Sequence, residues 1–449
     1  MTDRNRLHGA ITVLTMALFL GGCASLPGFG GNDEDEESVE KAGRVAMVLG
    51  DEALEADPEL ASELISLPVA ETPSSWPEAG LRASKAVGHV AAADEMVVEW
   101  RRNAGQGSSR SSALTAAPVA SETRIFVLDA GQTVRAFDLE TGREVWTREL
   151  GSGNERDRIG VGGGIAFSDG RVIAASGYGR VFSLDAASGD IVWLREMEAP
   201  MTGSPTVKDG RIFVSSNNNE VFALDFESGR TDWTDQAIAE PARVLGSPSA
   251  AAVEDLVVVP YSSGEIIAYL ASNGRRLWND ALSRPGRFTP ISSINDIAAR
   301  PVLASGLVIA ANQSGVTAAI DGRSGNRVWA QPIGSTQAPA LAGEYVFVMG
   351  TDGRLAAMNA GSGKAYWTKK FPQFRNEEKQ KGRVSYAGPI IASGRIIVIS
   401  SEGEVIAVDP QTGERVNSLD LNDKVYLEPI AVGGRLYVLT DDAQLVAIR

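Results

Sequence analysis

The chain has 449 residues, a formal net charge of −15, 48 glycines and only 6% aromatic residues. That acidity excludes a nucleic-acid partner, because holding phosphates needs a basic surface and no Lys/Arg stripe runs along the sequence. A single cysteine and two histidines exclude an internal disulfide and a His-based metal centre.

The N-terminus reads as an address. Arg4 and Arg6 precede an apolar stretch at 11–20, followed by Gly21, Gly22 and Cys23. A basic start, a short apolar run and small residues before a cut describe a secretory signal, whereas a membrane span needs roughly 20 apolar residues. Leu20-Gly21-Gly22-Cys23 resembles the bacterial lipobox, which implies a lipidated Cys23 at the mature N-terminus. Ala24 after it favours the outer over the inner membrane in lipoproteins of that type. The chain therefore divides into a signal at 1–22, a lipidated flexible acidic tether at 23–40, an N-terminal extension at 41–92 and a repeat domain at 93–449. The tether, with its acidic run at 33–37, has too little apolar content to fold. Within the extension a strand is expected at 44–49, then a short acidic helix before Leu67, then an irregular segment whose Trp76-Pro77 docks on the domain.

From residue 134 onward one pattern recurs eight times at intervals of 38 to 51 residues. Asp138/Gly142/Trp146, Asp185/Gly189/Trp193 and Asp225/Gly229/Trp233 are full copies, and Asp321/Gly325/Trp329 adds one residue before its Asp. Degenerate copies pair Leu270 with Trp278, Asn359 with Trp367 and Asp409 with Asn417, and a half-copy fills 445–449. The alternation before each Asp is a half-buried strand. The carboxylate starts a turn by accepting nearby backbone amides, and the Gly closes a hairpin at φ > 0. The Trp on the returning strand fills the wedge between neighbouring units. Another strand and a small-residue/Pro segment precede each copy, giving four strands per unit. Such a period of short strands specifies an all-β, eight-bladed β-propeller of four-stranded antiparallel blades. The last blade lacks its outer strand, which 96–102 with Trp100 supplies, closing the ring.

Catalytic material is sparse. His89 remains after the signal is cut, and it reads as a histidine hydrogen-bonded where the extension packs on the ring. The repeated Asp residues are turn caps rather than paired acids, and the glycine-rich 160–164 has neither the Lys nor the helix of a phosphate loop. The basic cluster at 369–370 and 379–383 reads as a solvated loop.

The Ala-x-Asp-x-x-(Thr/Ser)-Gly-x-x-x-Trp unit resembles the tryptophan-docking repeat of pyrroloquinoline-quinone dehydrogenases. Those enzymes carry an adjacent cysteine pair against the quinone and a Glu/Asn/Asp calcium site, and the pair is absent here. The lipobox, the eight repeats and Trp76-Pro-Glu-Ala-Gly80 with Gly88-His89 together resemble a second family, the outer-membrane protein assembly factors called BamB, in their alphaproteobacterial form. That resemblance implies a scaffold without cofactor or metal, lipid-anchored at the periplasmic face of the outer membrane. It would bind the POTRA domains of the barrel-inserting subunit BamA, and possible contacts with nascent outer-membrane proteins follow from the same role. The family's two contact loops map onto Arg243, Val244 and Leu245, and onto Asp296 and Arg300; Leu245 stands where that family has Arg, and Ala298 where it has Asp. A ligand-binding or quinone-dependent propeller, and a surface lipoprotein with another partner, are the alternatives.

Overall fold

The computed structural model describes residues 53–151, 160–238, 248–282 and 296–449. These residues form eight four-stranded antiparallel blades, the all-β propeller expected from the repeat. Blades 1 to 7 span 119–149, 163–196, 206–236, 251–281, 302–331, 340–370 and 386–420. Blade 8 combines Ile430–Val432, Arg435–Leu439 and Gln444–Ile448 with Val98–Asn103, which pairs antiparallel with Gln444–Ile448. The three inner strands of each blade are almost wholly buried and the fourth alternates between solvent and the next blade, so the core lies between blades. In each blade the first and third turns share one face of the ring, here the turn face. The second turn and the connection to the next blade share the other, the loop face.

The repeat residues hold the blades together in a way that the spacing shows only in part. Asp138 accepts the Thr141 amide at 2.9 Å and its hydroxyl at 2.7 Å. Asp225 and Asp321 do the same with Ser228 and Ser324. These bonds hold all three carboxyls below their usual pKa. The glycine that follows has two duties. Gly142 sits at φ 66°, and a Cβ on it would come within 2.8 Å of the Trp100 ring. Each repeat glycine is thus the seat for the tryptophan of the preceding blade. That tryptophan then donates its indole N–H into the same turn: Trp146 to the Ala186 carbonyl at 3.0 Å, Trp193 to Phe226 at 3.1 Å and Trp233 to Ala271 at 2.9 Å. Trp278, Trp329 and Trp367 continue the series onto Gly322, Ala360 and Pro410. A β-bulge just before each tryptophan turns the ring toward its neighbour and leaves the bulged residue, such as Val145 or Val328, exposed.

Ring closure obeys the same rule. Trp100 donates to the Glu140 carbonyl of blade 1 at 2.8 Å and packs 5.8 Å from Tyr437, whose hydroxyl donates to the Leu139 carbonyl. The one unit without a tryptophan, Asn417 of blade 7, faces blade 8. There the outer strand comes from 98–103, so no hairpin glycine exists to receive an indole. The apparent degeneracy of Asn417 is a consequence of closure.

The N-terminal extension follows a path that no periodicity announces. Trp76, 1% exposed, exchanges two backbone bonds with Ala120 of blade 1. The Pro77 carbonyl then takes the Phe167 amide of blade 2, and the Glu78 carboxylate the Val207 amide of blade 3. Ala83 and Ser84 cap Ala252 of blade 4 and Leu303 of blade 5. His89–Val90 adds a parallel strand to blade 7, and Ala93 bonds to Gly434 of blade 8. The segment therefore visits the inner edges of the blades in ring order on the turn face. Those edges would otherwise present unpaired backbone groups, which carry a desolvation cost when buried. His89 is a satisfied structural residue: its Nε2 accepts the Gly394 amide at 2.8 Å, so Nδ1–H donates to the Pro68 carbonyl at 2.6 Å.

One expectation fails. Residues 53–67 form turns and no helix, because Ile65 and Ser66 give their amides to Gln411 and Tyr345 of the ring rather than to a preceding turn. The strand expected at 44–49 lies outside the described residues.

Candidate functional site

The small-residue segments that lead into the blades converge on the ring axis and leave a cavity of about 260 Å³ open toward the loop face. Its lining includes Thr115, Ser204, Gln337 and Tyr386 from four lead-in segments, while Ala79 of the extension forms part of the floor. Four charged side chains gather there. Lys85, 1% exposed, donates to Glu78 at 2.6 Å, and Arg300 donates to Glu428 at 2.5 Å. Burial pushes the Lys85 ammonium below its ordinary value, and Glu78 opposes that shift. Glu78 also accepts the Val207 amide, so its two oxygens tie the extension to the ring. Gly80 passes directly under Arg300, where a Cβ would meet the guanidinium Nε at 2.6 Å. Two pairs of opposite charge, one on the extension and one across the ring, thus fix the floor of the axis. The sequence offered only isolated charges among small residues, Glu78 before Ala79-Gly80 and Lys85 after Ser84, with no spacing rule to join them.

The residues assigned to contact loops fare unevenly. Cys23, Arg243, Val244 and Leu245 lie outside the described residues. Asp296 and Arg300 both belong to the loop-face connection between blades 4 and 5. Asp296 is 3% exposed, and its carbonyl accepts the Gln313 amide at 3.1 Å. The Arg300 side chain is 12% exposed and committed to Glu428. Neither offers its charge as an open contact; both belong to the loop-face frame between blades 4 and 5. A second cavity of about 230 Å³ adjoins that frame, lined by Asp296, Asn219 and Tyr261 among others. From it a hydrogen-bond chain runs outward from the buried tyrosines to the surface: Tyr261 to Tyr269 at 2.8 Å, Tyr269 to Asp235 at 2.8 Å, and Arg276 to Asp235 at 2.7 Å. Burial raises both tyrosine hydroxyls above their usual pKa, so they stay protonated as donors.

Among the described residues no three His, Cys, Asp or Glu side chains are grouped to hold a metal ion. The two glutamates nearest the axis are already bound to cations, and the chain has no cysteine pair to stack on a quinone. These residues do not fit the calcium and quinone of the dehydrogenases that share the repeat.

Comparison with known proteins returns the same two groups. The family model for outer membrane protein assembly factor BamB matches residues 83–157, 130–369 and 351–449. The BamB of Escherichia coli K12 is 28% identical over 335 residues, covering 74% of this chain and 83% of its own length. That of Burkholderia pseudomallei is 25% identical over 354 residues, covering 78% and 87%. Among solved structures, BamB from Moraxella catarrhalis superposes with a TM-score of 0.66 at 19% identity, over 78% of this chain and 99% of that one. Quinohemoprotein alcohol dehydrogenase from Comamonas testosteroni reaches 0.63 at 16% identity, over 82% and 77%; likeness at such identity concerns the fold alone.

Proposed function

The chain belongs to the outer membrane protein assembly factor BamB family, and we propose that it is a non-catalytic scaffold lipoprotein of the machinery that inserts β-barrel proteins into the outer membrane. The observation that carries this reading is the family match, which runs from residue 83 through the ring to residue 449. In this role the protein binds the POTRA domains of the barrel-inserting subunit BamA and is held at the periplasmic face of the outer membrane by a lipid on Cys23. The axis supports a scaffold: its charges are paired with each other and hold the ring in one shape.

The partner surface is proposed at Arg243, Val244 and Leu245 together with Asp296 and Arg300, the positions to which the family's contact loops map. Binding energy at such interfaces concentrates in a few residues. Arg243→Glu combined with Leu245→Ala should therefore weaken binding of the barrel-inserting subunit by ~2–4 kcal/mol. Co-purification of that subunit with wild type and double variant is the test, with circular dichroism as the folding control. A folded double variant that retains the subunit would move the interface elsewhere; a wild-type sample without the subunit would sink the functional reading.

Anchoring is a separate expectation. Cys23→Ser should give a folded propeller that leaves the outer-membrane fraction and appears in the soluble periplasm, since the tether and the ring are distinct. Retention in washed outer membranes would refute the lipid anchor.

A further inference from the structure

The eight blades serve as controls for one another: blades 4, 5 and 6 lack an arginine that the rest carry at one strand start, and only blade 4 puts leucine both there and at its cross-strand partner. The second strand opens with an arginine in five blades: Arg124, Arg171, Arg211, Arg395 and Arg435. Arg124 reaches across to the Ala186 and Ala187 carbonyls of the next blade's turn, and Arg171 to that of Phe226. In blades 1 to 3 its cross-strand partner is the turn aspartate, as in Arg124 with Asp138 and Arg211 with Asp225. Blade 4 replaces both members of the pair with leucine, and Leu256 faces Leu270 in the same register. The turn beside it, in blade 5, has Gly322 where the other turns have Leu139, Ala186, Phe226, Ala271, Ala360 and Pro410. A Cβ at Gly322 would be 3.8 Å from Leu256.

The loss of the aspartate is compensated. Asp255, from the preceding turn, accepts the Ser272 amide at 2.8 Å and its hydroxyl at 2.9 Å, holding the turn one residue before the Thr/Ser position that Asp138, Asp225 and Asp321 hold in theirs. A broken local rule repaired from a neighbouring position marks a site kept for something other than the turn. The result is an apolar groove of about 610 Å³ between blades 4 and 5 on the turn face. Leu256, Leu270, Leu277, Leu303, Leu307 and Val253 line it; Val253 is 40% exposed and Leu277 41%. Its lips carry Glu254, Asp255 and Asp321 against one cation, Arg323.

We propose that this groove is a docking site for a short extended segment of another protein, one that offers a leucine-sized apolar side chain flanked by lysine or arginine. The leucines take the apolar anchor, and the carboxylate excess on the lips selects the basic flanks. The groove lies on the turn face, away from Asp296 and Arg300 on the loop face, so it is a second surface, separate from the one proposed for the barrel-inserting subunit.

The probe is a labelled peptide, Ala-Lys-Leu-Ser-Leu-Lys-Ala, titrated with the full mature chain and followed by fluorescence anisotropy. Twins carry alanine for both leucines or glutamate for both lysines. Leu256→Arg with Leu270→Asp restores the pair found in blades 1 to 3, so it should fold while closing the groove. Leu277→Ser, on an exposed bulge, is the second variant. Wild type should bind the parent peptide, with affinity falling roughly tenfold or more for each twin and for the Arg/Asp variant, the size of a lost anchor. Equal binding by the variants, indifference to the lysines, or no binding by wild type would each overturn the proposal. So would a self-association in sedimentation that Leu277→Ser abolishes, since the occupant would then be a second copy. The Arg/Asp variant should still co-purify the barrel-inserting subunit; losing both together would show one surface, not two.

Discussion

Deleting residues 96–103 should abolish the cooperative melting of the monomeric ring. Val98–Asn103 is the outer strand of blade 8 and lies against Gln444–Ile448, whose Leu445, Val446, Ala447 and Ile448 are fully buried. The deletion removes every bond of that ladder, the Trp100 contact with Tyr437 and the indole bond to Glu140. It also breaks an ion pair, since Glu99 accepts a bidentate hydrogen bond from Arg435. Truncating one buried tryptophan costs ~3–5 kcal/mol, while whole domains are stable by only ~5–15 kcal/mol. The strand adds to that loss, and the bared edge invites intermolecular pairing. Circular dichroism melting with size-exclusion chromatography gives the answer. A monomeric deletion variant with the wild-type midpoint would mean that the ring closes by some other contact.

Lys85→Ala should destabilise the protein by ~3–5 kcal/mol, the cost of leaving one member of a buried ion pair without its partner. Glu78 and Lys85 are both buried, so the carboxylate is left without its counter-charge once the ammonium is gone. Replacing both, with Glu78→Gln and Lys85→Met, should cost far less than the single change. The glutamine carbonyl still accepts the Val207 amide, and the methionine fills the lysine stem's volume without a charge. Thermal unfolding of the two singles and the double as a mutant cycle checks this. Additive losses would show that each residue acts alone and that the pair does not fix the extension.

The ring was legible because its information is periodic. Asp, Gly and Trp recur at a spacing that fits a hairpin, and the missing eighth Trp strand could be found upstream as 96–102. Two features of the same repeat were not legible. Asn417 and Leu270 both read as decayed copies, yet Asn417 faces a blade without a hairpin, and Leu270 is the cross-strand mate of Leu256. Only spatial neighbours separate decay from coupled change. The extension was opaque for a different reason: it works through backbone groups, such as the carbonyls of Pro77, Ala83 and Ser84, and backbone bonding leaves no side-chain pattern. The contact residues show the limit of carrying positions over from a family. The family's second contact loop maps onto Asp296 and Arg300 in the chain, but burial of the first and the Glu428 partner of the second arise from how lead-in segments crowd the axis.

The route of the extension also sets an order of events in time. Residues 76–103 are made long before the end of the ring, but the partners of their final strand lie at 444–448, and the Glu99–Arg435 pair spans 336 positions. Contacts so distant along the chain make folding slow, because the loop must close before anything is gained. Until the last strand arrives, Val98–Asn103 has no partner and the apolar seam of blade 8 stays open to other chains. A member of a family of assembly factors thus carries in its own ring a seam that needs protection until the C-terminal strand is delivered.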